Sequence, residues 1–423
     1  MSWPSRVFFA VVAAVAVAGL WSAVGCTRRG NNSPAPPTPT PQTNYYVNPA
    51  TGNDSTGNGT PSAPYRSITK ALSVVAKSAI PNLTVNLAAG SYTTGSGEVF
   101  PIVIPTGVTI AGVNTGSHNP RQGTFIAGYG EDVNLEKATG AAPKTYFTTM
   151  EVPAGISATV DGVYVGPRLA PGYSVHYAAF DVLGSLSASH ASFGAGVPSG
   201  RIEGGVIVPS GTLSCNACVE EGHKYAIEAL TIPSATSGPT LNLSGQSQQS
   251  IVGGDITGIL TDGTASLTVS NQTFQSKMYG YRDTLAQPTA YPSSTPTSSP
   301  TPYPSGSSTP PPYGVSVDFG KTGGSSGGNV FIGPASTIVA EIFVSTPGEV
   351  VTAFGNTWNP NTQCSNPSGQ YPKYYSLPSA KCSGNGKNVT VAAGSGASVE
   401  VGPLLQPTPT PYYSPTPTPS PSS

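Results

Sequence analysis

The densest group of side chains able to do chemistry is Glu220-Glu221-Gly222-His223-Lys224, which puts two carboxylates, an imidazole and an amine in one loop just after a predicted strand. A polysaccharide lyase needs a base, usually Lys or Arg, beside carboxylates that hold calcium against a uronate. Glu220, Glu221, His223 and Lys224 are therefore the catalytic candidates, although a solvated turn accounts for the same residues. Elsewhere the pattern is sparse. Asp161, Asp255 and Asp262 each adjoin a glycine, where Asp suits a turn without any ligand. Asn53 and Asp54 sit in a Gly-rich loop, where backbone conformation explains them and calcium binding is the alternative reading. A glycosidase requires two opposed carboxyls, and no such pair stands out. The four histidines, His118, His176, His190 and His223, are too far apart in sequence to suggest a ligand pair. Cys215-Asn216-Ala217-Cys218 has zinc-ribbon spacing but lacks a second pair at matching spacing. No metal site and no cofactor are expected.

Cysteine chemistry points instead to the N-terminus. Arg6 precedes an apolar run from Val7 to Val24, which ends in Ala23-Val24-Gly25-Cys26. That order resembles a bacterial lipoprotein signal, in which cleavage before the cysteine frees its thiol to carry diacylglycerol. A Pro-rich stretch after Cys26 suits a tether rather than a spanning helix. The resemblance implies export and membrane anchoring through Cys26, at the outer membrane or cell surface. Lipidation would leave an even number of cysteines for pairing in an oxidising compartment. Cys364 and Cys382 are the preferred disulfide, closing a polar loop around Asn366-Pro367-Ser368-Gly369 that has little apolar surface of its own.

Composition narrows the partners. Of 423 residues only 9% are charged, with 51 Gly, 44 Pro and a formal net charge of −1, against about a quarter charged in ordinary globular chains. The folded region has no Lys/Arg cluster, so nucleic acid is excluded as a partner. Proline concentrates in three Pro/Ser/Thr-rich segments, which are extended and cannot form a core. The chain thus divides into a signal peptide (1–25), a tether (26–43), a folded body (44–286), an insertion (287–312), further coils (313–405) and a disordered tail (406–423).

The elements between these segments read as short strands, such as Thr84-Val85-Asn86-Leu87, Val108-Thr109-Ile110 and Val206-Ile207-Val208, broken by Gly, Pro, Asn and Ser. Leu186, Leu213, Leu241 and Leu267 recur at a period of roughly 26 to 28 residues, with small or apolar residues two places on. Ala158-Thr159-Val160-Asp161-Gly162-Val163 falls one step upstream. The period predicts stacked β-coils, with Leu186 and Ala188 inward and Ser187 and Ser189 outward. Turn residues His190, Asn216 and Asn271 are expected to adopt left-handed backbone and to stack. One segment reads as a helix, Ser67 to Lys77, with Ile68, Ala71, Leu72 and Val75 on one face. It is expected to cover the open end of the solenoid, whose unpaired strand edge would otherwise invite association.

Tyr45-Tyr46-Val47-Asn48-Pro49, Gly52-Asn53-Asp54, Gly59-Thr60, Pro64-Tyr65-Arg66-Ser67-Ile68 and Ala71-Leu72 resemble the opening segment of bacterial right-handed parallel β-helix proteins. With Ala89-Gly90-Ser91-Tyr92 and Ile104 through Gly112, the pattern is similar to domain-of-unknown-function family 1565 over Asn44 to about Thr264. Asp318-Phe319-Gly320, Gly327-Gly328-Asn329-Val330-Phe331 and Gly355-Asn356-Thr357-Trp358 are similar to C-terminal coils of such proteins. The resemblance implies an all-β fold, a right-handed parallel β-helix (a single-stranded solenoid) with an N-terminal capping helix. Some relatives with this opening segment are pectate-lyase-like, but a shared fold does not transfer an activity. The leading expectation is a non-catalytic envelope lipoprotein with a structural, adhesive or glycan-binding role. Ser, Thr, Asn and Gln rows on its outer face, with Tyr173, Tyr177 and Tyr225 in nearby loops, are the glycan-binding candidates. The rival is a polysaccharide lyase or another carbohydrate-active enzyme working through the 220–224 loop.

Overall fold

The computed structural model describes residues 41–113, 123–166, 176–194 and 204–222, most of 224–283, and shorter stretches between 316 and 400. These residues wind into a right-handed parallel β-helix whose coils contribute strands to three sheets, of twelve, nine and ten strands, parallel except for Tyr374–Tyr375 at the end of the first and Gly130–Glu131 beside the third.

The first sheet carries the sequence repeat. Leu186 lies level with Ala158 and Leu213, Leu213 with Leu241, and Leu241 with Leu267. Two places on, Val160, Ala188, Cys215, Leu243 and Val269 form a second inward column. Both columns are buried. Because side chains alternate across a strand, the intervening Thr159, Ser187, Ser214, Asn242 and Thr268 face outward, exposed or partly so.

A turn of one or two residues leads from this sheet to the second at several coils. His190 (φ 48°) and Asn271 (φ 53°) take the left-handed conformation there, as does Gly162 (φ 65°). At the coil between His190 and Gly245 the residue in that conformation is Ala217 (φ 52°), not Asn216, which ends its strand one position earlier. Backbone amides stitch the turns together: Gly162 to Ser189, His190 to Asn216, Ala217 to Ser244 and Gly245 to Ser270. The expected ladder therefore exists, but its continuity comes from the main chain, so the identity of the turn side chain matters less than its backbone. Further along, side chains do stack. Asn329 Oδ1 accepts from the Gln272 amide at 2.9 Å, and Asn356 Oδ1 accepts from Asn329 N and Nδ2, both at 3.0 Å.

The second sheet sends Tyr92, Ile126, Val165, Phe193, Glu220, Val252, Phe274 and Phe331 inward, one above the next. Phe274 and Phe331 stack with centroids 4.6 Å apart. In the third sheet Met150, Phe180, Val206, Ile227, Ile259, Tyr281 and Ile342 fill the same role.

Helix α1 (Ile68–Val75) buries Ile68, Ala71, Leu72 and Val75 in the core that includes Tyr45, Val47 and Leu83, beside the terminal strand Asn44–Val47. It covers the N-terminal end as expected. A second helix, α2 (Val133–Thr139), was not expected: only Leu135 marks its apolar face. It lies on the outside of the third sheet, where Leu135 joins Tyr146, Ala178 and Ile207 in a small separate cluster. Asp132 caps its start, and Gly140 (φ 73°) ends it.

Candidate functional site

Of the 220–224 candidates the structure places the side chains of Glu220 and Lys224, while that of Glu221 lies outside the described residues. Glu220 lies level with Phe193 and Val252, fully buried inside the solenoid, and neither carboxylate oxygen has a hydrogen-bond partner. Desolvation pushes its pKa up to about 8. A group so placed cannot reach a polysaccharide. Glu221 belongs to the strand Val219–Gly222, Lys224 is partly exposed, and His223 lies outside the described residues.

Cys215 and Cys218, which border Glu220, are joined by a disulfide. So joined, the pair offers no thiolates to zinc. The preferred pair Cys364 and Cys382 lies outside the described residues, as does Cys26.

The remaining sequence candidates mostly do local structural work. Asn53 Oδ1 accepts from the Ser55 and Thr56 amides. Asp262 accepts from the Thr231 and Thr264 amides and the Thr264 hydroxyl. Asp161 accepts from Ser189 Oγ at 2.7 Å and meets His190 Nδ1 at 3.1 Å, tying one coil to the next. His176 stacks on Tyr146. His118, Tyr173 and Asp255 lie outside the described residues. Tyr177, expected in a loop, is instead a strand residue with its ring buried; its hydroxyl contacts Thr149 Oγ1. Tyr225 is a partly exposed strand residue.

Two groups of carboxylates that composition alone does not single out stand beside the two helices. At α1, Gly97 (φ 98°) ends a short 3-10 turn and places Glu98 over the helix start. Glu98 accepts from the amides of Ile68 (2.8 Å) and Thr69 (2.9 Å) and from Thr69 Oγ1 (2.8 Å). Asp54 accepts from the amides of Arg66 and Ser67 and from Ser67 Oγ. Amides at a helix start lack intrahelical acceptors, so these two carboxylates complete the turn. Burial raises the Glu98 pKa, and its hydrogen bonds oppose that rise.

At α2 the supply of donors fails. Asp132, Glu151 and Asp181 offer carboxylate oxygens that all lie within 4.8 Å of one another, with relative exposures of 0%, 1% and 0%. Glu151 and Asp181 are level on neighbouring parallel strands of the third sheet, both on its outer side, while Asp132 approaches from the helix cap. Asp132 accepts from Leu135 N and Thr148 Oγ1, and Glu151 accepts from Asn134 Nδ2. Neither oxygen of Asp181 meets a donor in good geometry, and the Asp132 carboxyl beside it can bond to it only through a shared proton. Burial raises all three, Asp132 against the pull of its hydrogen bonds; neighbouring carboxylates add to the rise of Glu151, to about 7, and of Asp181, well above its ordinary range. Two full charges at this separation repel by about 3 to 4 kcal/mol in a medium of effective dielectric near 20, so the group needs protons or a cation. The signal was present in the sequence as Met150-Glu151-Val152 and Phe180-Asp181-Val182, an acid between two core residues repeated one coil apart.

The chain is thus a parallel β-helix protein. Residues 50–164 match a family model described as a protein of unknown function (DUF1565), covering the opening segment and the N-terminal coils. No curated protein matches the sequence. Among solved structures, pectin methylesterase PemA from Erwinia chrysanthemi is 8% identical, with 59% of this chain and 91% of that one covered and a TM-score of 0.25. The GH136 lacto-N-biosidase from Eubacterium ramulus, as its selenomethionine derivative, is 10% identical over 85% of this chain and 68% of that one, with a TM-score of 0.30. XylC in complex with xylose is 10% identical over 75% and 70%, at 0.28.

Proposed function

We propose that the protein is a non-catalytic, lipid-tethered β-helix of the bacterial cell envelope that binds glycan along the outer face of its first sheet. The carrying observation is one uninterrupted outward column, Thr84, Thr109, Thr159, Ser187, Ser214, Asn242 and Thr268, level on successive coils. It presents a hydroxyl or amide at every rung, about 4.8 Å apart, without a charge. Such a row suits hydrogen bonding to a neutral polysaccharide laid along the solenoid axis, and it is too long for a single sugar. Most described carboxyls are buried, Glu220 among them, which supports a binding role over acid–base chemistry. Anchoring through Cys26 is supported by its place after an apolar run and before a Pro-rich tether.

The test uses the chain from residue 26 with Cys26→Ser, screened against neutral and uronate polysaccharides for binding and for unsaturated products. Binding without product, weakened about tenfold by the bulky substitution Ser214→Trp at the centre of the column, is expected; tenfold corresponds to about 1.4 kcal/mol. Unsaturated products would contradict the non-catalytic reading, and absence of binding would contradict the glycan face. For the anchor, Cys26→Ala should move the full chain from the membrane to the soluble fraction.

A further inference from the structure

The carboxyl group beneath α2 has a use that goes beyond the glycan face. We propose that Asp132, Glu151 and Asp181 form a binding site for a divalent cation of the calcium type, which pins α2 to the outer face of the third sheet.

Three features carry this. The donor set is oxygen only, which selects hard cations such as Ca2+, Mg2+ or Mn2+ over zinc or copper. Its carboxylate oxygens lie within 4.8 Å of one another, close enough to share one ion. Asp181 is 0% exposed, meets no donor in good geometry at either oxygen and is aimed at the other two carboxyls. This last feature separates the cluster from an ordinary acidic patch, because a buried carboxyl without donors is costly unless a ligand or a proton meets it.

The surroundings fit the same role. Thr148 Oγ1 donates to Asp132 at 3.2 Å and Asn134 Nδ2 donates to Glu151 at 2.5 Å, so neutral donors orient two of the three carboxylates from the strand and the helix. The ligands span two elements: Asp132 caps α2, while Glu151 and Asp181 belong to consecutive coils. A cation held there would join a short helix with a single apolar anchor, Leu135, to the solenoid. Ionisable groups around the site are acidic: Asp132 and Glu136 from the helix side, Glu151 and Asp181 from the sheet. Binding therefore displaces protons and strengthens as pH rises.

The experiment is a calorimetric titration of the full chain, stripped with chelator, with CaCl2 alone at pH 7.5, paired with a thermal melt. One equivalent of Ca2+ is expected to bind, to raise the melting midpoint and to release protons, seen as a heat that depends on the buffer. Asp181→Asn should weaken binding at least about tenfold, and Asp181→Asn combined with Glu151→Gln should abolish it, while Glu220→Gln leaves it unchanged. Circular dichroism establishes that the variants remain folded. No binding of Ca2+, Mg2+ or Mn2+ to the folded chain up to about 10 mM would overturn the proposal. Undiminished one-equivalent binding in the folded double variant would overturn it too.

Discussion

The two helices of this solenoid both carry buried carboxylates, yet they treat them in opposite ways. At α1, Glu98 and Asp54 each accept three hydrogen bonds from backbone and hydroxyl donors, so their charge is spent on closing the N-terminal end. At α2, Asp132 has two donors, Glu151 one and Asp181 none. Glu220, inside the lumen, repeats the condition of Asp181 without carboxyl neighbours to share an ion. A carboxylate matched to donors serves the fold, while an unmatched one weakens it until a proton or a cation arrives.

Glu220 gives the largest test of that contrast. Its folded-state pKa near 8 lies above the ordinary 4.5, so the folded protein holds the proton that the unfolded chain releases. Stability is then highest below about pH 4.5 and is lost as pH rises through about 8. Glu220→Gln removes that dependence. Chemical denaturation should show it more stable than the parent by roughly 5 kcal/mol at pH 9, with little difference at pH 4, since a tenfold difference in proton affinity between folded and unfolded chains is worth about 1.4 kcal/mol. A parent stability flat over that range would refute the buried placement.

Glu98→Ala should act in the opposite direction. It strands the Ile68 and Thr69 amides at the cap, and a loss of about 3 kcal/mol is expected at neutral pH, read as a lower denaturant midpoint. Asp181→Asn, measured in chelator at pH 8, should instead stabilise by about 2 kcal/mol, because the folded chain no longer has to take up a proton, or hold an uncompensated charge, at that buried carboxyl. If Glu98 and Asp181 variants changed stability with the same sign, the distinction between matched and unmatched carboxylates would fail. The smallest effect belongs to Asp161→Asn. Its pairing with His190 is about half exposed on both sides, and the denaturation midpoint should move by less than about 0.5 kcal/mol equivalent.

Much of the first sheet was legible in the sequence because each of several strands carries a large apolar residue at one fixed position, so Leu186, Leu213, Leu241 and Leu267 align without knowledge of the turns. Helix α1 was legible for the same reason, with four apolar residues on one face. The turn at Asn216 was misplaced by one residue because Asn favours left-handed backbone, whereas main-chain pairing fixed the turn at Ala217 instead. Helix α2 escaped notice because seven residues with one apolar anchor leave no period to read. The 220–224 loop drew attention through local density of charge, but alternation along the strand turns Glu220 inward. The carboxyl group under α2 was hidden for the converse reason: Glu151 and Asp181 are thirty positions apart in sequence and meet only because a coil brings them level.

The most direct test of the contrast between the helices is an anomalous-difference map from crystals of the protein grown with a lanthanide chloride standing in for calcium. A single strong peak bounded by Asp132, Glu151 and Asp181, with none at Asp54 or Glu98, is the result this account predicts. An empty site beneath α2, or a peak at Asp54 and Glu98 instead, would contradict it.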